Sequence, residues 1–311
     1  MSTDDRNLAA PARPAIRAGR GRRDLGRLTY ILMILPAGIT IFLIIAFPLV
    51  YTLWMAVHEY SMGASGPPPF VGLDNYLQLF RHQRFLEAVP RTFVFTLLGV
   101  AGPTVLGTVA ALMFSRTFPG RGFLRTVFSL PMMATPVSIA LIWQMMFHPQ
   151  LGVLNYLLSL VGIGPQPWIF SRVSVLPSLA MVETWQWTPF VMLIVLGGLA
   201  SLPTEPYEAA RIDGASWVQT TRYITLPLVW PYIMVAVILR AIDALKSFDI
   251  IYVMTQGGPG TASETLNIFL FLQAFAFYNI GFASAVVVVY FLILMVMSVG
   301  LLIVRQRTSW Q

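Results

Sequence analysis

Long apolar runs separated by short polar breaks dominate the chain, at about 29–57, 90–115, 124–147, 175–200, 228–253 and 281–304. About 20 helical residues cross the hydrocarbon core of a bilayer, so each run is long enough to span and six membrane helices are predicted. Prolines 36, 48, 103, 131, 136 and 189 fall within or near these runs. Spanning helices tolerate proline where neighbours satisfy the freed backbone groups, so kinked helices that surround a cavity are expected. Two of the breaks are amphipathic: 58–89 carries GPPPFVGLDNYLQLF and 148–174 carries GVLNYLLSLVGIGPQPWIF. Each predicts a short helix lying at the membrane surface.

Composition agrees with this pattern. Of 311 residues, 57% are hydrophobic and 11% charged, against about 25% charged in soluble domains. The fold class is therefore all-α integral membrane. The net charge of +7 is concentrated at the start, where Arg6, Arg13, Arg17, Arg20, Arg22, Arg23 and Arg27 precede the first apolar run. These read as a topology signal and not as a nucleic-acid patch. The tail at 1–27, with its Ala, Pro and Gly filling, is expected to be disordered. A cleaved leader is not expected, because the apolar run that follows is too long and no small-residue cleavage site comes after it. With both ends inside, fourteen arginines lie on the inner side and Arg81, Arg84, Arg91 and Arg172 on the outer. That bias puts both termini in the cytoplasm, together with the loop at 201–227 and the tail at 306–311. With no cysteine, disulfides and thiolate metal sites are excluded.

The loop at 201–227 is the most polar interruption between spans. Thr204 suits a helix N-cap, with Glu205 and Pro206 in the first turn. A two-turn helix is expected to Asp213, with Gly214 in the left-handed position beyond it. Ser216 and Gln219 form a capping box that opens a second short helix, ending near Leu226-Pro227. Glu208 and Arg211 then sit on a surface of small residues, Ala209, Ala210 and Ala215, which lets another backbone approach closely. A helix pair lying on lipid is the competing reading, weakened by the few apolar residues available, Tyr207, Ile212 and Trp217.

Here the residues carry a resemblance. Glu208-Ala209-Ala210, Asp213-Gly214-Ala215, Ile224, Leu226-Pro227 and Pro231 resemble the EAA loop of permease subunits in binding-protein-dependent ABC importers. VGLDNY, LPMMATPVSIALIWQMMFHPQLGVLN and RAIDALKSFDIIYVMTQGGPGTASETL resemble the sugar-type branch, and the similarity covers about 28–305. The resemblance implies the type I importer permease fold with six membrane helices. It also implies that Glu208, Ala209, Ala210, Asp213 and Gly214 form a coupling helix that docks on a cytoplasmic ATPase. Its implied partners are a second, unlike permease subunit, two ATPase subunits that bind ATP and magnesium, and an extracytoplasmic solute-binding protein. The implied solute is a sugar, oligosaccharide, polyol or glycerol-phosphate compound, and the implied membrane is the bacterial inner membrane. Gly257, Gly258 and Pro259, in a flexible glycine-rich outer loop, are the implied contact with the binding protein.

Span five carries Arg240, Asp243, Lys246 and Asp249 at spacing three with alternating sign, beside Phe248. Neighbours at that spacing pair along one helical face. Unpaired charge at mid-bilayer costs at least about 2.5–3.5 kcal/mol, so the helix faces protein or water. Asp243 and Lys246, with Phe248, mark a pathway, or else the four charges only fix packing. On span four, Glu183, Trp185, Gln186 and Trp187 combine carboxylate, amide and indole, a set suited to a polyhydroxyl ligand. Tryptophans near interfaces are also ordinary.

Several chemistries are disfavoured. Lys246 is the only lysine, so the chain has no Walker A motif and does not itself hydrolyse ATP. His58, His82 and His148 lack metal-ligand spacing and read as outer surface. No nucleophilic elbow or carboxylate pair is present, so an enzyme is not expected. An ion-coupled secondary transporter and a non-transporting scaffold are the alternatives. No cofactor is expected in this chain.

Overall fold

The computed structural model describes the backbone from residue 20 to 308 and side chains from 30 to 306. The predicted tail from 1 to 19 lies outside the described residues. Two compact units are resolved, Met1–Tyr51 and Thr52–Gln311.

Over its described residues, 20–51, the first unit is helical throughout. Helix α1 (Arg20–Ile41) continues through a wide turn at Phe42–Ala46 into α2 (Phe47–Met55). The helix begins inside the stretch expected to be disordered. Arginine is a good helix former, and extending a helix that the apolar run has already nucleated costs little.

The second unit is built on three long helices. They are α4 (Gln83–Phe114), α8 (Val175–Ala200) and the rod formed by α10 (Trp217–Thr220), a wide turn at Thr221–Thr225 and α11 (Leu226–Leu245). Val191, Met192, Val195, Val229, Ile233 and Ala236 are buried together between them. Close approach is permitted at Gly198, where an added Cβ would lie 2.4 Å from Tyr232 Cγ. Small residues bring membrane helices into such contact because lipid supplies no hydrophobic drive of its own.

The predicted third span is not straight. Between α5 (Arg121–Ser129), with its short extension Leu130–Met133, and α6 (Pro136–Met146), the chain bends by 96°. Pro136 forces the preceding residues out of the helical region, and Ala134 and Thr135 are extended. Among the described residues five helices are long and apolar enough to cross a membrane, six if the bent pair is one span. The fifth also differs: instead of a short helix ending at Pro227, the rod Trp217–Leu245 is continuous over 29 residues. A wide turn just before Pro227 spares the helix the carbonyl clash that proline would otherwise cause.

At the other end of α4 the chain forms α3 (Asp74–Arg81), α7 (Val153–Leu160), α12 (Asp249–Thr255) and α13 (Leu266–Phe271). Helix α14 (Ile280–Thr308) closes the fold. Among the described residues there are no strands, only two isolated bridges, His58 to Phe70 and Ser61 to Asn279.

Candidate functional site

The loop at 201–227 folds on its own caps. Helix α9 (Glu205–Ile212) starts where Thr204 was expected to cap it, and the Thr204 carbonyl accepts from the amides of Tyr207 and Glu208, although its hydroxyl makes no cap bond. At the far end the amide of Ala215 donates to the Ala210 carbonyl at 2.9 Å and that of Gly214 to the Arg211 carbonyl at 3.2 Å. This is the Schellman arrangement, and it requires Gly214 at φ +70°. The capping box forms as expected, with Ser216 N–H donating to Gln219 Oε1 at 2.7 Å. Glu208, Ala209 and Asp213 are exposed while Ala210 is buried. A shallow cavity of about 420 Å³ lies along this face, lined by Pro206, Ala209, Asp213, Ala215 and Tyr223 among others. No periodic signal announces one further contact: the Arg116 guanidinium lies over the Trp217 ring at 4.5 Å.

At the opposite end of the rod the charges meet, in an order that spacing did not predict. Arg240 donates to Asp243 Oδ2 at 2.6 Å along its own helix, to Glu183 Oε2 on α8 at 2.8 Å, and to the Gly99 carbonyl on α4 at 3.2 Å. Ser247 Oγ donates to the second Glu183 oxygen at 2.7 Å, and Trp187 lies 4.8 Å from the guanidinium. One fully buried arginine therefore ties three helices. The expected alternating ladder stops after Arg240 and Asp243, because α11 ends at Leu245 and α12 begins at Asp249. Lys246 and Asp249 stand on either side of that break, exposed, with no ion pair among the described residues. The break is capped from outside: Asn267 donates to the Lys246 carbonyl at 2.8 Å, and the Tyr290 hydroxyl donates to that of Leu245.

The ligand set expected on span four is not brought together. Consecutive helical residues diverge by about 100°, so the four side chains face different surroundings. Glu183 is 3% exposed, with both oxygens engaged. Gln186 is buried and donates to the Ala134 carbonyl at 3.5 Å. Trp187 serves Arg240, and only Trp185 is exposed, edge-on to Trp143 at 5.7 Å. Trp185 borders a groove of about 880 Å³ between α4, α5, α6 and α8, apolar along most of its wall. Phe248 is packed, stacked on Tyr252 at 5.1 Å and against Phe271 at 5.0 Å.

The glycine-rich loop carries side-chain bonds that its composition does not announce. Ser263 Oγ donates to the Gly258 carbonyl at 2.6 Å and contacts Thr255 Oγ1 at 2.8 Å, and the neighbouring Glu264 pairs with Arg84 at 2.6 Å. Gly257 is buried, so of the three expected contact residues only Gly258 and Pro259 reach the surface, each in part. Two of the histidines are less exposed than expected: His58 and His82 are half-buried, His82 packing between Phe269 and Phe282, while His148 is exposed.

Residues 103–310 match the family model described as binding-protein-dependent transport system inner membrane component. The trehalose/maltose transport system permease protein MalF of Thermococcus litoralis is 38% identical over 250 residues, covering 80% of this chain and 83% of its own. The sulfoquinovosyl glycerol transport system permease protein SmoG of Agrobacterium fabrum is 36% identical over 287 residues, covering 91% and 93%. In structure, a chain of a bacterial ABC transporter involved in import of the acidic polysaccharide alginate superposes with a TM-score of 0.81 at 22% identity, over 93% of this chain and 99% of that one.

Proposed function

Since the chain belongs to the family of binding-protein-dependent transport system inner membrane components, we propose that this ABC importer permease subunit forms half of a pathway for a sugar, oligosaccharide, polyol or glycerol-phosphate-type solute. The solute is handed over by a soluble binding protein outside. Two cytoplasmic ATPase subunits, holding ATP and magnesium, drive the cycle. The observation that carries the reading is the 201–227 loop, in which Glu208 stands exposed on a helix closed by a Schellman turn and followed by a capping box. A surface so rigid, small-sided and charged suits insertion into a groove of another protein. Beyond the turn at 213–216 the rest of the loop is the start of the rod Trp217–Leu245, which carries Arg240, so displacement passed across that turn reaches the buried charges along one helix.

A pathway formed with a second, unlike permease subunit is supported by the packing of α4, α8 and α11, which fills the space between them with side chains. The apolar groove beside Trp185 is the face offered to that subunit. Asp243, 49% exposed, and Lys246 are the groups assigned to the pathway. Relatives whose names specify trehalose, maltose or sulfoquinovosyl glycerol support a polyhydroxyl solute. The arginine bias supports cytoplasmic termini.

The test is Glu208→Lys in the complete transporter reconstituted in vesicles. We expect normal insertion and abundance, loss of ATP-dependent uptake and weaker retention of the ATPase on co-purification. Uptake at the wild-type rate overturns the coupling assignment, and uptake that persists without ATP but follows an ion gradient overturns the importer reading.

A further inference from the structure

We propose that α7 and the turns flanking it form a lipid-binding platform, lying flat in the headgroup region with an apolar stripe against the acyl chains. Val153, Tyr156, Leu157 and Leu160 fall at positions i, i+3, i+4 and i+7, which is one face of a helix. They are 45%, 63%, 52% and 65% exposed. The opposite face is the one fixed to the protein: Leu154 packs on the core that holds Trp168 and Ile169, and Asn155 is buried. The helix is thus apolar on its outer face as well as on the inner one, where Leu154 and Leu158 flank Asn155.

Asn155 fixes this orientation. Its amide nitrogen donates to the carbonyls of Pro149 at 2.9 Å and Gln166 at 3.0 Å, and its oxygen accepts from Gln166 N–H at 3.0 Å and Trp168 Nε1 at 2.8 Å. With all four bonds made, the helix has no slack to roll its stripe inward. Leu151 and Val161 extend the exposed surface at either end.

The sequence identifies the occupant. From Pro149 to Ser171 there is no Asp, Glu, Lys or Arg, so the platform offers no charge for a soluble partner to complement. A partner that docks and leaves needs a polar rim about as hydrophilic as ordinary surface, and the exposed polar groups beside this stripe, Gln150, Ser159 and Gln166, are few and uncharged. Lipid needs no rim, and a tyrosine among aliphatic residues is the composition of an interfacial helix. The platform is also continuous with the membrane segments on both sides, since α6 ends at Met146 and α8 begins at Val175.

The chain has no cysteine, so single labels report without background. Leu157→Cys and Tyr156→Cys, each carrying an environment-sensitive fluorophore, are compared with Ser65→Cys, placed in the exposed turn at 63–66. The full chain is reconstituted in vesicles of phosphatidylethanolamine and phosphatidylglycerol containing tail-brominated lipid, with no binding protein present. We expect several-fold stronger quenching at 156 and 157 than at 65, with blue-shifted emission. Labels at both stripe positions that stay as water-exposed as the one at 65 overturn the proposal and leave the stripe to a protein partner. The second stripe position keeps the test decisive should one variant fail to insert.

Discussion

Arg240 and Glu183 meet across two helices at 2.8 Å with 1% and 3% of their side chains exposed. A pair so shielded is held less by its net energy than by the penalty of separating it. Removing one partner of a buried ion pair costs about 3–5 kcal/mol, whereas replacing both with apolar groups of similar volume is often neutral. Glu183→Leu is therefore expected to lower the thermal midpoint of the purified subunit sharply, and Glu183→Leu with Arg240→Met to recover most of the loss. A double variant no more stable than the single one would show that the charges themselves, and not their mutual burial, hold α8 to α11.

Gly214 has open space around its Cα yet lies at φ +70°. A side chain there meets a backbone obstacle only, worth about 1–2 kcal/mol for most residues and less for asparagine. Gly214→Ala should weaken uptake and ATPase retention, and Gly214→Asn should restore most of both. Equal loss in the two variants, read by ATP-dependent uptake in vesicles, would count against a left-handed turn at this position.

Gly197 and Gly198 are adjacent on α8 but differ in what surrounds them. A Cβ at Gly197 meets nothing within 4 Å, while at Gly198 it meets the Tyr232 ring. Gly198→Ala is expected to destabilise by about 1–3 kcal/mol through overpacking, and Gly197→Ala to be neutral or slightly stabilising. Thermal denaturation of the two variants in the same detergent compares them directly.

Glu264 is 1% exposed and its ion-pair partner Arg84 is 35% exposed. Arg84→Gln leaves a buried carboxylate without its cation, and the turn at 256–265 should open. Faster hydrogen exchange in that segment, with α4 and α8 unchanged, is the expected outcome.

The spans at 29–57 and 175–200 and the capped loop were legible because length and cap chemistry are local. Gly214, Ser216 and Gln219 act over at most one turn and do what was expected of them, whereas Thr204 stands at the expected position without its hydroxyl making a cap bond. Proline was read less well. Pro136 breaks its segment by 96° while Pro227 is passed without interruption, and the difference lies in the turn before Pro227, which no composition announces. Glu183 was the least legible, since a carboxylate beside two indoles has the same spelling whether it faces a ligand or an arginine from another helix. The 57 residues separating it from Arg240 are outside the reach of any periodic pattern.

The wide turn at Thr221–Thr225 has a geometric consequence. A helix advances by about 100° per residue, so the number of residues in that turn sets the angular phase between the loop that begins at Trp217 and the side chains near Leu245. Deleting one residue there would leave the rod nearly as long but turned by about that angle, aiming Arg240 away from Glu183. The turn thus works as a dial: it holds two distant faces of one helix in the single alignment at which the loop and the buried charges are both satisfied.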